Sequence, residues 1–324
     1  MNLFAHRLSA ALICALTGVA APALAQTGAP LTIVMTFPAG SGVDVVGRTI
    51  QESMQQSLGM PIVIDYKPGA AGNLASEHVA RANPNGHTIL FGTSATHGVN
   101  AALYKKLPFD VEADFTPIAP IVDVSNVLTI NPAVIDVKTI QELVALVKAN
   151  PGKYNYASTG NGTGTHLAFA EFVARMQLNM VHVPYKGGPD ATAALLKGDV
   201  CCAFNLVQAS LPHFKAGKVR LLGVTTKNRV GALPDVPSIA ESVLPGFESF
   251  IWFGLLGPKN MDAGMVTRIN AAVKTALEVP AVRDKLIAGG NTPRYETPEQ
   301  FKATVKRDRA KWAEVVKLSG ATID

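Results

Sequence analysis

The sequence predicts an α/β protein made of two similar units, each with parallel strands. Short apolar runs alternate with helical stretches over residues 31–92, the order of strands and crossover helices in a parallel sheet. A strand, a glycine-rich turn and a helix occur in residues 31–58 and again in residues 154–176. With 324 residues, 48% of them apolar, the chain is long enough for two domains with their own cores. Because no low-complexity linker separates the units, we expect more than one segment to cross between them.

The individual elements follow from periodicity and from capping residues. After the first strand, Val46, Ile50 and Met54 recur every four positions and predict a helix. Thr139 and Glu142 have the spacing of a capping box at the start of another helix. Further strands are expected at residues 61–65, 88–92, 154–157, 180–184, 200–206, 219–225 and 250–257, with two apolar runs at 115–130. Further helices are expected after the loop 67–73 to about residue 83, at residues 166–176, after the turn 185–188 to about residue 197, near residues 265–277, and from residue 297 onwards.

The first 25 residues have the pattern of a secretory signal peptide. Arg7 precedes an apolar run at residues 8–21, and Ala23 and Ala25 supply the small residues of a cleavage site. The apolar run is too short to span a bilayer. We therefore expect an exported protein that is cleaved after Ala25.

Charge and composition exclude some partners. Arg7 is the only charged side chain in the first 25 residues, so the remaining chain has 28 Lys and Arg against 24 Asp and Glu. This small positive excess favours small anions slightly and does not indicate nucleic acid. Aromatic residues make up only 6% of the chain, too few for base-stacking surfaces. We expect no nucleic-acid partner.

The turn after the first strand is a candidate anion site. Gly40, Ser41 and Gly42 lead directly into a helix, whose first N–H groups and dipole suit an anion. A dinucleotide site would need a third glycine at position 45, where Val45 stands, although a cofactor or a simple packing turn stays possible. Near this helix start, Asp44 could be a catalytic acid, but capping N–H groups or holding the turn fits better.

The second turn, residues 158–165, is rich in glycine and hydroxyl groups. It has no lysine at the position that a nucleotide-binding P-loop requires. We expect it to offer unpaired N–H groups and hydroxyls to a carboxylate. Further along, Tyr185 and Lys186 at a strand end could serve an acidic ligand or could lie in a solvated surface turn.

No pattern indicates a cofactor, a metal or a catalytic triad. The seven histidines have no metal-ligand spacing, so we expect neither metal nor cofactor. Cys201 and Cys202 are adjacent and are expected to be buried on a strand, with a vicinal disulfide as the alternative. The segment around Ser94 misses the nucleophile elbow because Thr96 stands where a glycine is required. A Ser, His and Asp assembly from distant residues stays open.

Several short motifs along the chain resemble one family. They are the segments at residues 37–40 with Asp44 and Arg48, 67–73, 158–160 with 166–167, 182–187, 233–238 and 252–254. Together and in this order they are similar to the Bug or TctC-type receptors of tripartite tricarboxylate transporters. The resemblance implies a type II periplasmic binding protein: two α/β domains joined by two crossing strands, with a ligand cleft between them. The implied domains are residues 26–125 with 254–324, and residues 126–253.

The resemblance also implies a site and a function. The two glycine-rich turns would face each other across the cleft and hold a carboxylate. Residues that match the family's ligand pocket are Phe37, Gly40, Ser41, Asp44, Thr93, Ser94, His97, Ser158, Gly160, Thr163, Thr165, Tyr185, Lys186 and Asn205. Ser41 stands where relatives often have a second glycine, and Tyr66 replaces a frequent asparagine.

The sequence thus predicts a monomeric periplasmic receptor that is not an enzyme. It would bind a small carboxylate, whether a di- or tricarboxylate, an aromatic acid or an amino acid, and deliver it to the transporter's membrane subunits. The alternatives are an α/β enzyme, hydrolytic or nucleotide-dependent, that uses the same cleft, and a ligand sensor for a signalling partner.

Overall fold

A computed structural model describes residues 29–321 as an α/β fold. The predicted signal peptide, residues 1–25, lies outside the described residues. The strands are β1 Leu31–Met35, β2 Ile62–Tyr66, β3 Thr88–Thr93, β4 Phe115–Ile130, β5 Asn155–Ser158, β6 Val181–Pro184, β7 Cys202–Leu206, β8 Arg220–Val224, β9 Phe250–Pro258 and β10 Asn291–Pro293. The helices are α1 Gly42–Leu58, α2 Asn73–Ala80, α3 Asn100–Leu103, α4 Ile140–Ala149, α5 Gly164–Arg175, α6 Gly188–Lys197, α7 Val207–Lys215, α8 Ile239–Ser242, α9 Ala263–Glu278, α10 Pro280–Ala288 and α11 Pro298–Ser319.

The strands form two sheet regions that share the long strand β4. In the first region β1 pairs in parallel with β2 and β3, and β3 pairs antiparallel with β9. In the second region β5 pairs in parallel with β6 and β7. These are the two parallel units that the alternating pattern predicted, and the two-domain α/β class is confirmed.

Strand β4 passes from one sheet region to the other. Its residues up to Ser125 pair with β9, and from Asn126 onwards they pair with β7 and β8. The paired residues of β9 have their partners in β3 and in the first half of β4. The implied domain boundaries at residues 126 and 254 stay a prediction, which the change of partner within β4 supports.

Each domain has its own apolar core. In the first domain α1 and α9 cover one face of the sheet, with Ile50, Met54 and Ile269 fully buried. In the second, the core forms around residues such as Phe169 and Phe204. Cys201 and Cys202 are buried there as free thiols, with their sulfur atoms 3.4 Å apart.

Helix α11 connects the two domains. Its first half packs on the sheet of the first domain, where Phe301 contacts Trp252 with ring centroids 4.9 Å apart. Its second half contributes Trp312 to a cluster that also contains Leu103 of α3 and Leu167 of α5. The helix that carries the second turn is therefore held against the first domain.

The capping predictions are borne out in part. The Thr139 hydroxyl accepts a hydrogen bond from the Glu142 N–H at 3.1 Å, but the Glu142 carboxylate bonds to the N–H of Lys138. Helices α3, α7, α8 and α10 and strand β10 were not predicted. Pro212 inside α7 interrupts the helical pattern, and α10 begins with Pro280 directly after α9.

Candidate functional site

The two turns that the sequence singled out meet at one cleft of about 1210 Å³ between the domains. The first domain contributes Phe37, Pro38, Gly40, Ser41 and Gly42. The second domain contributes Thr159, Lys186, Gly187, Gly188, Pro189, Thr192, Ala193, Leu196, Asn205, Leu206, Gln208, Ala209 and His213. Five of the predicted site residues thus line the cleft, namely Phe37, Gly40, Ser41, Lys186 and Asn205.

The first turn presents the N-terminus of α1 to this cleft. Gly40 has φ of 80°, in the region that favours glycine, and the Ser41 hydroxyl caps α1 by accepting from the Asp44 N–H at 3.4 Å. The first N–H groups of a helix have no acceptor within it, so those of Gly42 and Val43 stay available. Their partial positive charge suits an anion.

Asp44 holds this turn in place and does not line the cleft. Its carboxylate accepts the Gly40 N–H at 2.8 Å, the Arg48 Nε–H at 2.9 Å and the Tyr66 hydroxyl at 2.5 Å. Burial acts to raise the pKa of Asp44, but the hydrogen bonds and the Arg48 charge outweigh it and lower the pKa. The ionised carboxylate therefore fixes the turn, the role that the sequence favoured over acid catalysis.

The second turn satisfies much of its own hydrogen-bonding capacity. Four of its N–H groups have acceptors within the turn or on the following helix: those of Thr159 with Thr165 Oγ1, Gly160 with Ser158 Oγ, Gly162 with His166 Nδ1 and Thr163 with the Gly160 carbonyl. We expected unpaired N–H groups here, and these four are paired. What the turn presents to the cleft is Thr159, whose hydroxyl lies 2.9 Å from that of Thr165.

Two stacked histidines lie beneath the second turn. The rings of His166 and His182 are parallel within 9°, with centroids 3.9 Å apart. His182 Nε2 lies 2.7 Å from the Ser158 hydroxyl, and His166 Nδ1 accepts the Gly162 N–H at 3.1 Å. Burial, and then the neighbouring His182, lower the pKa of His166 to about 4. A neutral His166 is the form that can accept this bond.

The predicted residues at the end of β3 and just after it lie inside the first domain. Thr93, Ser94 and His97 are buried, and they are not among the residues that line the cleft. Thr93 and Thr96 exchange hydrogen bonds that close the turn. Burial lowers the pKa of His97 to about 3, so this ring is neutral. Within residues 29–321, Ser94 Oγ and His97 Nε2 have no hydrogen-bond partner.

The remaining predicted residues come from β5, β6 and β7. Ser158 and Thr165 are buried and organise the second turn, and the Tyr185 N–H donates to the Ser158 carbonyl at 3.1 Å. Lys186 is exposed at the cleft and has no ion-pair partner in the described part of the chain. Asn205 is among the residues that line the cleft although it is only 3% exposed, and its carboxamide has no hydrogen-bond partner among the described residues.

Gln208 is a cleft residue that sequence reasoning missed. A side chain on Gly42 would begin 3.4 Å from Gln208 Nε2, so this carboxamide of the second domain lies against the first turn. No hydrogen bond to it is found among residues 29–321. Sequence reasoning missed Gln208 because it did not predict α7, the helix whose first turn contains this residue.

Two α/β domains with a cleft between glycine-rich turns define the periplasmic binding protein class. The chain matches the model of the tripartite tricarboxylate transporter family receptor, TctC, over residues 46–320, and it belongs to this family. It is 32% identical to BugT of Bordetella pertussis, with 95% of each chain covered. The resemblance inferred from the motifs is therefore confirmed.

Two solved structures have a similar fold and name a ligand. Rpa4515 of R. palustris, solved with adipate, is 30% identical with a TM-score of 0.79, covering 90% of this chain and 98% of that one. MatC of Rhodopseudomonas palustris, with bound malate, is 31% identical with a TM-score of 0.74, covering 89% and 98%. Family and neighbours are solute-binding proteins, so the chain is a solute-binding receptor and not an enzyme.

Proposed function

We propose that this receptor captures a small carboxylate in the cleft between its domains and delivers it to the membrane subunits of a tripartite transporter. The observation that carries this proposal is the meeting of two features at one cleft. The N-terminus of α1 presents N–H groups, and Lys186 presents a cation that has no carboxylate partner in the described residues. The adipate and malate of the two neighbours support a carboxylate as the ligand class.

The predicted ligand residues differ in the role that their positions support. Phe37, Gly40, Ser41, Lys186 and Asn205 are proposed to contact the ligand, and Gln208 joins them. Asp44, Ser158, Gly160, Thr163 and Thr165 are proposed to hold the two turns. Thr93, Ser94 and His97 lie behind the cleft in this conformation, and Tyr185 anchors the strand end beside the second turn.

The proposed place of action is the periplasm, with residues 1–25 cleaved after Ala25 and the receptor a monomer. Membership of a periplasmic receptor family supports this location. Among residues 29–321, no helix has the length and apolar character needed to cross a membrane.

Calorimetry on residues 26–324 tests the proposal. We expect at least one member of a panel of mono-, di- and aromatic carboxylates to bind near micromolar Kd, or about −8 kcal/mol. Replacing the cleft cation by Lys186→Gln should weaken this binding about tenfold, as expected for loss of a charge-assisted contact.

Lys197→Gln is the matched control, because Lys197 is an exposed lysine on α6 that does not line the cleft. The Lys197→Gln variant should bind the carboxylate with the same affinity as the unmodified protein. Failure of every carboxylate to bind, or chemical conversion of a bound ligand detected by mass spectrometry, would contradict the proposal.

A further inference from the structure

Two adjacent cysteines stand where β7 begins, apart from the proposed binding site. Cys201 is 2% exposed, Cys202 is fully buried, and neither is among the described residues that line the cleft. The chain has three cysteines, and the third, Cys14, lies in the predicted signal peptide. Within residues 26–324 an intramolecular disulfide can therefore join only Cys201 to Cys202.

The side chains of these cysteines lie on the same side of the chain. In a regular strand, successive side chains point to opposite faces of the sheet. Cys201 instead lies in a bend, and both sulfur atoms approach one atom, the main-chain carbonyl oxygen of Asn155, at 2.9 Å for Cys201 and 3.7 Å for Cys202. The two sulfur atoms are 3.4 Å apart, so they are in direct contact.

Hydrogen bonds from both sides fix this bend. The Cys201 N–H donates to Asn155 Oδ1 of β5 at 3.2 Å, and Asn155 Nδ2 donates to the Asp199 carbonyl at 3.1 Å. On the other side the Asn131 N–H, directly after β4, donates to the Cys201 carbonyl at 3.3 Å. The contact between the thiols is thus a property of the folded second domain, which raises the effective concentration of one thiol at the other.

We propose that Cys201 and Cys202 form a vicinal disulfide in the exported receptor. The oxidant is an external disulfide, and the reaction is thiol–disulfide exchange. The Cys201 thiolate attacks one sulfur atom of the external disulfide, whose S–S bond breaks and whose other sulfur leaves as a thiol. The Cys202 thiolate then attacks Cys201 Sγ in this mixed disulfide and releases the second thiol. The two protons lost by the cysteines pass to the released thiols, so the cysteines are oxidised and the external disulfide is reduced.

The chemical setting favours this reaction. A hydrogen bond from the neighbouring Cys202 thiol lowers the pKa of Cys201, which increases the fraction of the reactive thiolate. Since both cysteines are buried in the folded domain, the external disulfide reacts with Cys201 while the chain folds, and folding then brings Cys202 into contact with it. The periplasm, the proposed place of action, is a compartment in which disulfides form. The bond lies at the start of β7, the strand that carries Asn205 to the cleft.

Mass spectrometry of the refolded protein tests the proposal. Reduced residues 26–324 are refolded with oxidised glutathione as the external disulfide, and any free thiol is then labelled with iodoacetamide in denaturant. We expect an unlabelled monomer about 2 Da lighter than the reduced chain, which takes up two labels after reduction with dithiothreitol. Two free thiols, glutathione retained on either cysteine, or a disulfide-linked dimer would overturn the proposal. No ligand is needed, so the outcome is separate from the proposed function.

Comparison with the unfolded chain tests the part that the fold plays. At one fixed ratio of reduced to oxidised glutathione, the ratio of disulfide to dithiol should be about tenfold higher, or more, in buffer than in urea. Asn155→Ala, which removes the side chain that fixes the bend, should lower the ratio measured in buffer, whereas Asn228→Ala at an exposed position is the matched control. Circular dichroism checks folding. Equal ratios in buffer and in urea would contradict the proposal, whether or not Asn155→Ala folds.

Discussion

At the scale of single residues, Asp44 shows how a buried charge can build a binding turn without facing the ligand. Its oxygens hold the Gly40 N–H, the Arg48 guanidinium and the Tyr66 hydroxyl together. The Tyr66 hydroxyl also accepts a hydrogen bond from the Arg48 guanidinium at 2.6 Å, so the tyrosine contacts both members of the ion pair. Tyr66 therefore adds a hydrogen-bonded link between Asp44 and Arg48, beside the direct ion pair of these two residues.

Replacing this carboxylate should loosen the first turn. Asp44→Asn is expected to lower the free energy of unfolding by about 1–3 kcal/mol, because charge-assisted hydrogen bonds to a buried group are lost. Since the folded pKa lies below the unfolded value of about 3.9, the contribution is present above that pH and is lost as the pH falls through the folded pKa. Urea unfolding measures both effects. A comparable loss in Asp65→Asn, a half-buried carboxylate paired with Lys67, would contradict this assignment.

At the scale of elements, the second turn is a hydrogen-bonded unit fixed to α5. The His166 ring both stacks on His182 and accepts the Gly162 N–H, so the side chain of the helix fixes the backbone of the turn that precedes it. Gly162 in turn lies against Leu103 of the first domain, so closely that a side chain at position 162 would collide with Leu103. The turn is thus held on both sides of the cleft.

This arrangement predicts a dependence of stability on pH. The folded pKa of His166, about 4, lies below the unfolded value of about 6.5. Its stabilising contribution is therefore complete above about pH 6.5 and is lost as the pH falls toward 4, by up to about 3 kcal/mol. His166→Asn keeps an acceptor and cannot titrate, so urea unfolding should show a shallower pH dependence in this range. An unchanged slope would contradict the prediction.

At the scale of the whole molecule, the cleft is larger than a small carboxylate requires. Its volume of about 1210 Å³ exceeds the roughly 300–1,000 Å³ of most small-molecule sites. Strand β4 runs from one domain into the other, and Trp312 of α11 packs with Leu167 of α5 at the same side of the molecule as Leu103 of the first domain. We infer that ligand binding closes the cleft by a hinge motion.

Closure should make the receptor more compact in solution. The radius of gyration from small-angle X-ray scattering is expected to fall when a carboxylate that binds in calorimetry is added at saturation. Lys186→Gln at the same ligand concentration, below its own saturation, should show a smaller decrease. A constant radius of gyration with saturated protein would show that the ligand binds without domain closure.

The sequence by itself determined the local features of this protein. Apolar runs and periodicity placed nine of the ten described strands and most helices, glycines marked both turns, and Thr139 was recognisable as a helix start because capping depends on residues three positions apart. The ordered motifs identified the family. The signal peptide stays a prediction that rests on the sequence alone.

The tertiary structure decided which of these groups stay available to a ligand. The N–H groups of the second turn are paired through Thr165 and His166, Asp44 is occupied by Tyr66, and Gln208 reaches the cleft from a helix that the pattern did not reveal. The physical reason is that hydrogen-bond satisfaction and burial depend on partners distant in the sequence, whereas the turns and caps are fixed by their own residues.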